Sequence, residues 1–475
     1  MTAIKVRSLA GGDVQLSQGD MNTLASNMRG VLVTPDVPGY DEARTIWNGM
    51  IDRRPAFIAR CIGVADVMAC VNFARERGLE LCIKGGGHNI SGLAVRDDAM
   101  MIDMSLMRGV HVDTENRIAH AQAGCTLGDV DRDTQLHGLA AVLGFVSNTG
   151  ITGLTLGGGF GYLTRRYGWT SDNVRSFQLV TPDGKLRRAS DTEEPDLFWA
   201  LRGGGGNFGV VTGIEYDLYH VGPEIVGGAI AWRAEDAAEV LEMYRELNDE
   251  APPEHVSVAA IRPAPPAPWL PKEIHGKLIV ALFVCDTGPI EEAEKRVAPI
   301  KAFGSPVGDI VQRRPYITQQ NLLDATQPDG RRYYWKSEYV PGVEKGLLEQ
   351  IIKHGNSIAS PHSAMLLFPL QGALSILPEN HSAVGNRKTA AVINATASWE
   401  NPADDDVNIA WARDAWNDMR RFSTGGTYIN FLTEEEGDDR IHDAYGSNFD
   451  RLVEVKTKYD PDNLFRTNKN ILPTG

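Results

Sequence analysis

The chain has 475 residues, 42% of them hydrophobic and 23% charged, with a formal net charge of −15. That length calls for two domains rather than one simple core, and the composition is that of an ordinary globular protein. The negative balance argues against nucleic acid as a partner, because gripping a phosphate backbone needs a positive surface.

The five cysteines, Cys61, Cys70, Cys82, Cys125 and Cys285, lack CxxC spacing. They fit neither a disulfide framework nor a structural zinc site, and they read as small buried apolar residues. No stretch reaches the roughly 18 apolar residues of a membrane span, so no membrane partner is expected, and the chain reads as cytoplasmic.

From residue 55 to 220, short β-type runs alternate with helical stretches. Strands are predicted at 56–61, 81–84, 100–104, 109–113 and 118–122, and helices at 63–76, 127–137 and 196–202. A hairpin at 177–189 turns on Pro182, Asp183 and Gly184. The glycine-rich character stops near residue 220. Beyond it, helical patterns at 234–248, 289–303 and 343–354 are interspersed with strand-like runs at 277–284, 364–370 and 389–395. Strands with helices on one side suggest a separate α+β domain. A final helix at 449–463 meets the Asp460-Pro461 stop and leads into an extended tail.

Three glycine clusters stand out. The first, Lys84-Gly85-Gly86-Gly87-His88-Asn89-Ile90-Ser91-Gly92, follows a predicted strand. Consecutive glycines expose backbone N–H groups that can converge on a pyrophosphate. His88 sits at the rim. A lone histidine is ordinarily a surface or hydrogen-bonded core residue, yet its small polar neighbours leave little apolar packing for an imidazole. The competing reading is a ring nitrogen facing a bound cofactor as a nucleophile.

The second cluster runs from Asn148 to Gly161, and the third is Gly203-Gly204-Gly205-Gly206-Asn207-Phe208-Gly209. Residues 204–209 satisfy GxGxxG literally, but a helix precedes them and a strand-like run follows. That is the reverse of the dinucleotide fingerprint, so a nicotinamide-binding Rossmann reading is rejected. Three glycine loops along the chain suit a long ligand such as FAD better than a single nucleotide.

With those motifs in hand, the sequence resembles the FAD-linked oxidases of the vanillyl-alcohol oxidase and p-cresol methylhydroxylase superfamily, in the berberine-bridge-enzyme-like branch. The resemblance rests on the first two clusters, on Trp199 through Thr212, and on Tyr445 through Phe465, in the family's order. It implies an α+β fold with a PCMH-type FAD-binding domain (1–220, completed by 445–475) and an α+β substrate domain with an antiparallel sheet (221–444). It also implies that His88 carries the 8α-methyl group of FAD covalently. Gly85, Gly86 and Gly87 would cradle the pyrophosphate, helped by Asn89 and Ser91, with Lys84 also among the cofactor-binding residues. Thr149, Gly150, Gly153, Gly158 and Gly161 would continue the cleft. Val211 would lie near the adenine, and Asn468 and Asn470 would close over the flavin. Where many members attach the flavin a second time through cysteine, this chain has Val146, so a single linkage is expected.

The same resemblance implies hydride transfer from a substrate C–H bond to the flavin, with oxygen reduced to hydrogen peroxide. Thr149 falls where the family controls oxygen access, and its small polar side chain favours an oxidase. Tyr428, in a Tyr-x-Asn-aromatic strand, is the expected base, although an ordinary tyrosine needs a lowered pKa for that role. Lys336 and Tyr334 are further candidates for the cavity, and Glu434 through Asp439 reads as a solvated loop. The expected partners are a small organic substrate (an alcohol, sugar or secondary-metabolite intermediate) and oxygen. The alternatives are a dehydrogenase using another acceptor, and a flavin-binding protein without turnover.

Overall fold

The computed structural model describes residues 3–474. Three sheets carry the site. The first orders the strands Val31–Val33, Phe57–Arg60, Met100–Asp103 and Leu81–Lys84, with the last three parallel. The crossover between Phe57–Arg60 and Leu81–Lys84 is the helix Val64–Arg77. It ends on Gly78 in the left-handed conformation, a common helix terminator. The second sheet is antiparallel, in the order Leu186–Ser190, Val174–Val180, Val210–Asp217, Ile118–Gln122, Val110–Asp113.

The third sheet has eight strands, all paired antiparallel. Its main path runs Gly308–Asp309, Glu224–Arg233, Leu278–Asp286, His255–Pro263, Ala364–Pro369, Ala391–Trp399 and Arg332–Val340. Four helices, Ala237–Glu250, Ile290–Lys301, Lys345–Gly355 and Asp405–Met419, cover one face. There Ile261, Met365, Ile393 and Trp399 pack against Tyr244, Val297, Leu347 and Trp411. The other face packs Val258, Phe283, Phe368 and Val392 against Phe160, Tyr162, Trp169 and Tyr428.

Because both faces are covered, all nine residues of Ala391–Trp399 are buried. Its sequence still alternates, with Asn394 and Thr396 on the cleft face and Ile393, Ala395, Ala397 and Trp399 packed toward the helices. The strand Glu224–Arg233 was not anticipated from the sequence, because with Ile225 through Trp232 all buried it carries no alternation; the helix Asp405–Met419 was missed although Asn408, Trp411, Ala412, Ala415 and Met419 keep helical spacing.

The C-terminal tail is tied back to the third glycine cluster. Lys456 Nζ is fully buried, paired with Asp460 at 2.6 Å, and donates to the carbonyls of Asn207 (2.9 Å) and Phe465 (3.0 Å). Asn468 Nδ2 donates to Gly206 O at 3.0 Å, and Asn207 Oδ1 accepts from Ile471 N at 3.0 Å. A buried ion pair with all donors satisfied fixes geometry more than it adds stability.

Candidate functional site

The strand Leu81–Lys84 delivers the first glycine loop directly onto the second. A Cβ on Gly86 would lie 2.4 Å from Gly150 N, and one on Gly150 would lie 2.5 Å from Gly86 N, so the two backbones touch where neither residue can carry a side chain. Gly87 adopts φ +66°, which glycine accepts at no steric cost. The turn places His88 at the edge of a cleft of about 350 Å3. All three glycine clusters line that cleft, through Gly85 to Asn89, Thr149 to Gly153 and Gly205 to Gly209, and the tail closes it with Thr467, Asn468 and Lys469.

The His88 ring is stacked on Trp47, with centroids 4.2 Å apart, and Trp47 in turn stacks on Tyr333 at 3.8 Å. Trp47 Nε1 donates to Gln327 O and the Tyr333 hydroxyl to Pro328 O, which fixes the column. Burial pushes the His88 imidazole down to about 4, with Asn148 opposing the shift, so the ring is neutral at pH 7. Its Nε2 is buried without a hydrogen-bond partner. A neutral imidazole at a cleft edge with an unsatisfied nitrogen fits attachment to an electrophilic carbon of a bound cofactor. The backbone cradle, long cleft and tail together fit a dinucleotide-sized flavin.

The predicted residues divide into two groups. Gly85, Gly86, Gly87, His88, Asn89, Thr149, Gly150, Gly153, Val211, Asn468 and Tyr428 line the cleft. Lys84 instead donates to the carbonyls of Ala43 and Thr45, both at 2.8 Å, and Ser91 Oγ donates to Leu432 O. Gly158 and Gly161 serve packing: their Cβ positions would meet Val384 at 3.0 Å and Leu143 O at 1.9 Å. Asn470 lies outside the lining, with a buried, unpartnered Oδ1.

Tyr428 begins a 3₁₀ turn, Ile429–Phe431, rather than lying in the predicted strand. Its hydroxyl accepts from Gly159 N at 3.0 Å and from Asn430 Nδ2 at 2.9 Å, and burial raises its pKa well above the usual tyrosine value. Both accepted bonds leave its own proton free to meet a ligand.

Lys336 and Tyr334 point away from the cleft. Strand alternation turns Tyr333 and Trp335 inward and sends Lys336 Nζ to Thr433 Oγ1 (3.1 Å), Glu435 (2.9 Å) and Glu436 (3.3 Å). The acidic run expected as a solvated loop is therefore partly an internal ion network, with Glu436 9% exposed. Trp47, Asn148, Trp335 and Lys469 are site residues that sequence reading missed. Trp47 lies far upstream of any glycine cluster and carries no motif of its own.

This is the cleft of a PCMH-type flavoprotein. Residues 55–190 match the model of an FAD binding domain, and residues 427–472 match that of the berberine and berberine-like family. The chain is 31% identical over 465 residues to (R)-6-hydroxynicotine oxidase of Paenarthrobacter nicotinovorans, covering 94% of this chain and 98% of that one. The crystal structure of 6-hydroxy-D-nicotine oxidase from Arthrobacter nicotinovorans superposes with a TM-score of 0.83 at 29% identity, covering 94% and 98% of the two chains. At 21% identity, the xylooligosaccharide oxidase of Myceliophthora thermophila shares the fold, with a TM-score of 0.83 and coverage of 96% and 100%. The chain belongs to the berberine-bridge-enzyme-like family of FAD-linked oxidoreductases.

Among the described residues, no helix is long and apolar enough to cross a membrane.

Proposed function

We propose that this chain is an oxidase of a small organic alcohol, sugar or secondary-metabolite intermediate, and that it holds FAD through a single covalent bond to His88. Residues 1–220 with 445–475 form its FAD-binding part and 221–444 its substrate-facing part. The observation that carries this reading is the neutral His88 ring, held by Trp47 where the three glycine loops converge. When bound, FAD supplies a hydride acceptor; oxygen reduction to hydrogen peroxide completes the cycle.

The protein's own residues position the rest. The backbone of Gly85 to Gly87 and of Gly150 offers N–H groups to the diphosphate, and the 467–469 tail covers the cleft. No cysteine lines the cleft among the described residues, and Val146 occupies its wall, which supports one linkage rather than two.

Tyr428 rests as a neutral phenol able to hydrogen-bond a substrate hydroxyl. Its two N–H donors, Gly159 and Asn430, hold the oxygen so that its own O–H is aimed at the substrate; to accept the substrate's proton Tyr428 would have to enter the reaction as the phenolate, which burial disfavours and these two donors favour. Thr149 lines the same cleft, and its small side chain is the one we assign to oxygen access.

The test is oxygen uptake with peroxide detection across a panel of sugars and phenolic alcohols. Peroxide formed in proportion to oxygen consumed supports an oxidase. Substrate bleaching of the flavin without oxygen uptake would replace this reading with that of a dehydrogenase.

A further inference from the structure

The eight-stranded sheet forms the roof of the cleft, and its register arranges the inward side chains in rows. One row passes from Trp335 to Thr396 to Ala364, and Arg262 continues it on the next strand. The next row carries Ser337, Asn394, Leu366 and Ala260. Most of the roof is apolar or aromatic, with Val258, Phe283, Leu366 and Phe368 lining the cleft. Arg262, near the end of its strand, and His362 stand out against it.

Arg262 donates through Nε to Pro263 O at 3.2 Å, and its guanidinium has no carboxylate partner among the described residues. Positive charge accumulates around it. Arg331 acts on both Arg262 and His362, and burial together with Arg331 pushes Arg262 down to about 10. Glu400 meets His362 Nε2 at 3.3 Å from the solvent side, with a side chain 73% exposed. Farther along the roof, Asn394 is 1% exposed and lines the cleft with an unpartnered Oδ1. The half-buried Arg262 opens into the cleft without an ion-pair partner among the described residues, although in a chain of net charge −15 carboxylates are plentiful. Glu400 answers His362 alone, and the lack of a carboxylate on Arg262 among the described residues leaves its guanidinium for a ligand-supplied one.

We propose that the Arg262 end of the cleft binds an anionic oxygen group of the substrate, a carboxylate or a phosphate, through Arg262 with His362 beside it, while Asn394 meets a neutral polar group of the same molecule. The inference rests on the reading of this cleft as the substrate site of a flavin oxidase, and it narrows the substrate class to organic anions. Charge-assisted hydrogen bonds to guanidinium are worth about 1.5–3 kcal/mol, which corresponds to about tenfold or more in affinity.

The experiment is isothermal titration calorimetry of the purified holoprotein with benzoate, phenyl phosphate and neutral benzamide, using the visible absorbance of the same sample to report flavin. At least one anion is expected to bind about tenfold tighter than benzamide. The tighter of the two identifies the source of the charge. Arg262→Gln is expected to abolish the preference and Arg262→Lys to keep part of it, with circular dichroism confirming that both variants fold. Equal binding of anions and benzamide, binding by neither anion, or an unchanged preference in Arg262→Gln would overturn the proposal. Calorimetry reads this end of the cleft whether or not flavin is present, so a colourless sample counts against the FAD reading alone.

Discussion

Replacing Gly86 with alanine puts a Cβ 2.4 Å from Gly150 N and 2.5 Å from Gly150 Cα. Both are backbone atoms at the start of the helix Ile151–Leu156, where no side chain can rotate away. The intrusion is roughly 1 Å inside van der Waals contact, and overpacking of this kind costs about 2 kcal/mol. The strain falls on the junction between the two loops that cradle the cofactor, so stability and flavin content are expected to drop together. Gly153→Ala is the control. Nothing lies within 4 Å of its Cβ position, and it sits within the same helix, where alanine is favoured over glycine by up to about 1 kcal/mol. Its methyl enters the cleft, so flavin content alone is expected to fall. The assay is urea unfolding of protein produced under riboflavin starvation, paired with the flavin-to-protein absorbance ratio of normally produced protein. Wild-type stability and full flavin content in Gly86→Ala would refute the contact between the loops.

Other consequences follow from single residues. Asp131 is fully buried, with Gln320 Nε2 at 3.1 Å, and burial pushes it up to about 7. Its stabilising contribution is complete below the usual carboxylate value of 3.8 and is lost as pH rises through about 7, a loss of about 4 kcal/mol. Unfolding midpoints at pH 5 and pH 8 should differ in the wild type and converge in Asp131→Asn; an undiminished difference in the variant would exclude this group. Trp47→Ala removes the stack between His88 and Tyr333 and is expected to cost about 3–5 kcal/mol and most of the bound flavin, whereas Trp47→Phe restores part of both. A wild-type denaturation midpoint in the alanine variant would contradict it. Tyr428→Phe keeps the aromatic packing with Phe160 and Phe431 but removes the hydroxyl. With alcohol substrates kcat should fall about 10²–10⁴-fold with little change in KM, and an unaltered kcat would remove Tyr428 from the proton transfer.

The cofactor side of the molecule was legible because glycine is a steric signal. Only glycine permits the contact between Gly86 and Gly150, and consecutive glycines are conspicuous in any sequence. Lys84, Ser91, Gly158 and Gly161 share those motifs for another reason: they anchor or pack the loops that form the cradle, and motif membership does not distinguish holding a loop from touching its ligand. The substrate side was far less legible. With helices on one face of the eight-stranded sheet and the cleft on the other, Tyr333, Tyr334, Trp335 and Lys336 all occur in one amphipathic-looking run. Pairing register alone decides that Trp335 faces inward and Lys336 outward. Trp47 had no local signal at all, since its role depends on packing with Tyr333 across the fold.

The covalent tether is tested most directly by the intact mass of the denatured protein. Wild type is expected to carry the mass of one FAD, mapped by peptide analysis to His88 and absent from His88→Ala, with a fluorescent band in the denaturing gel of the wild type alone. A yellow protein whose denatured chain has the mass of the bare polypeptide would contradict it.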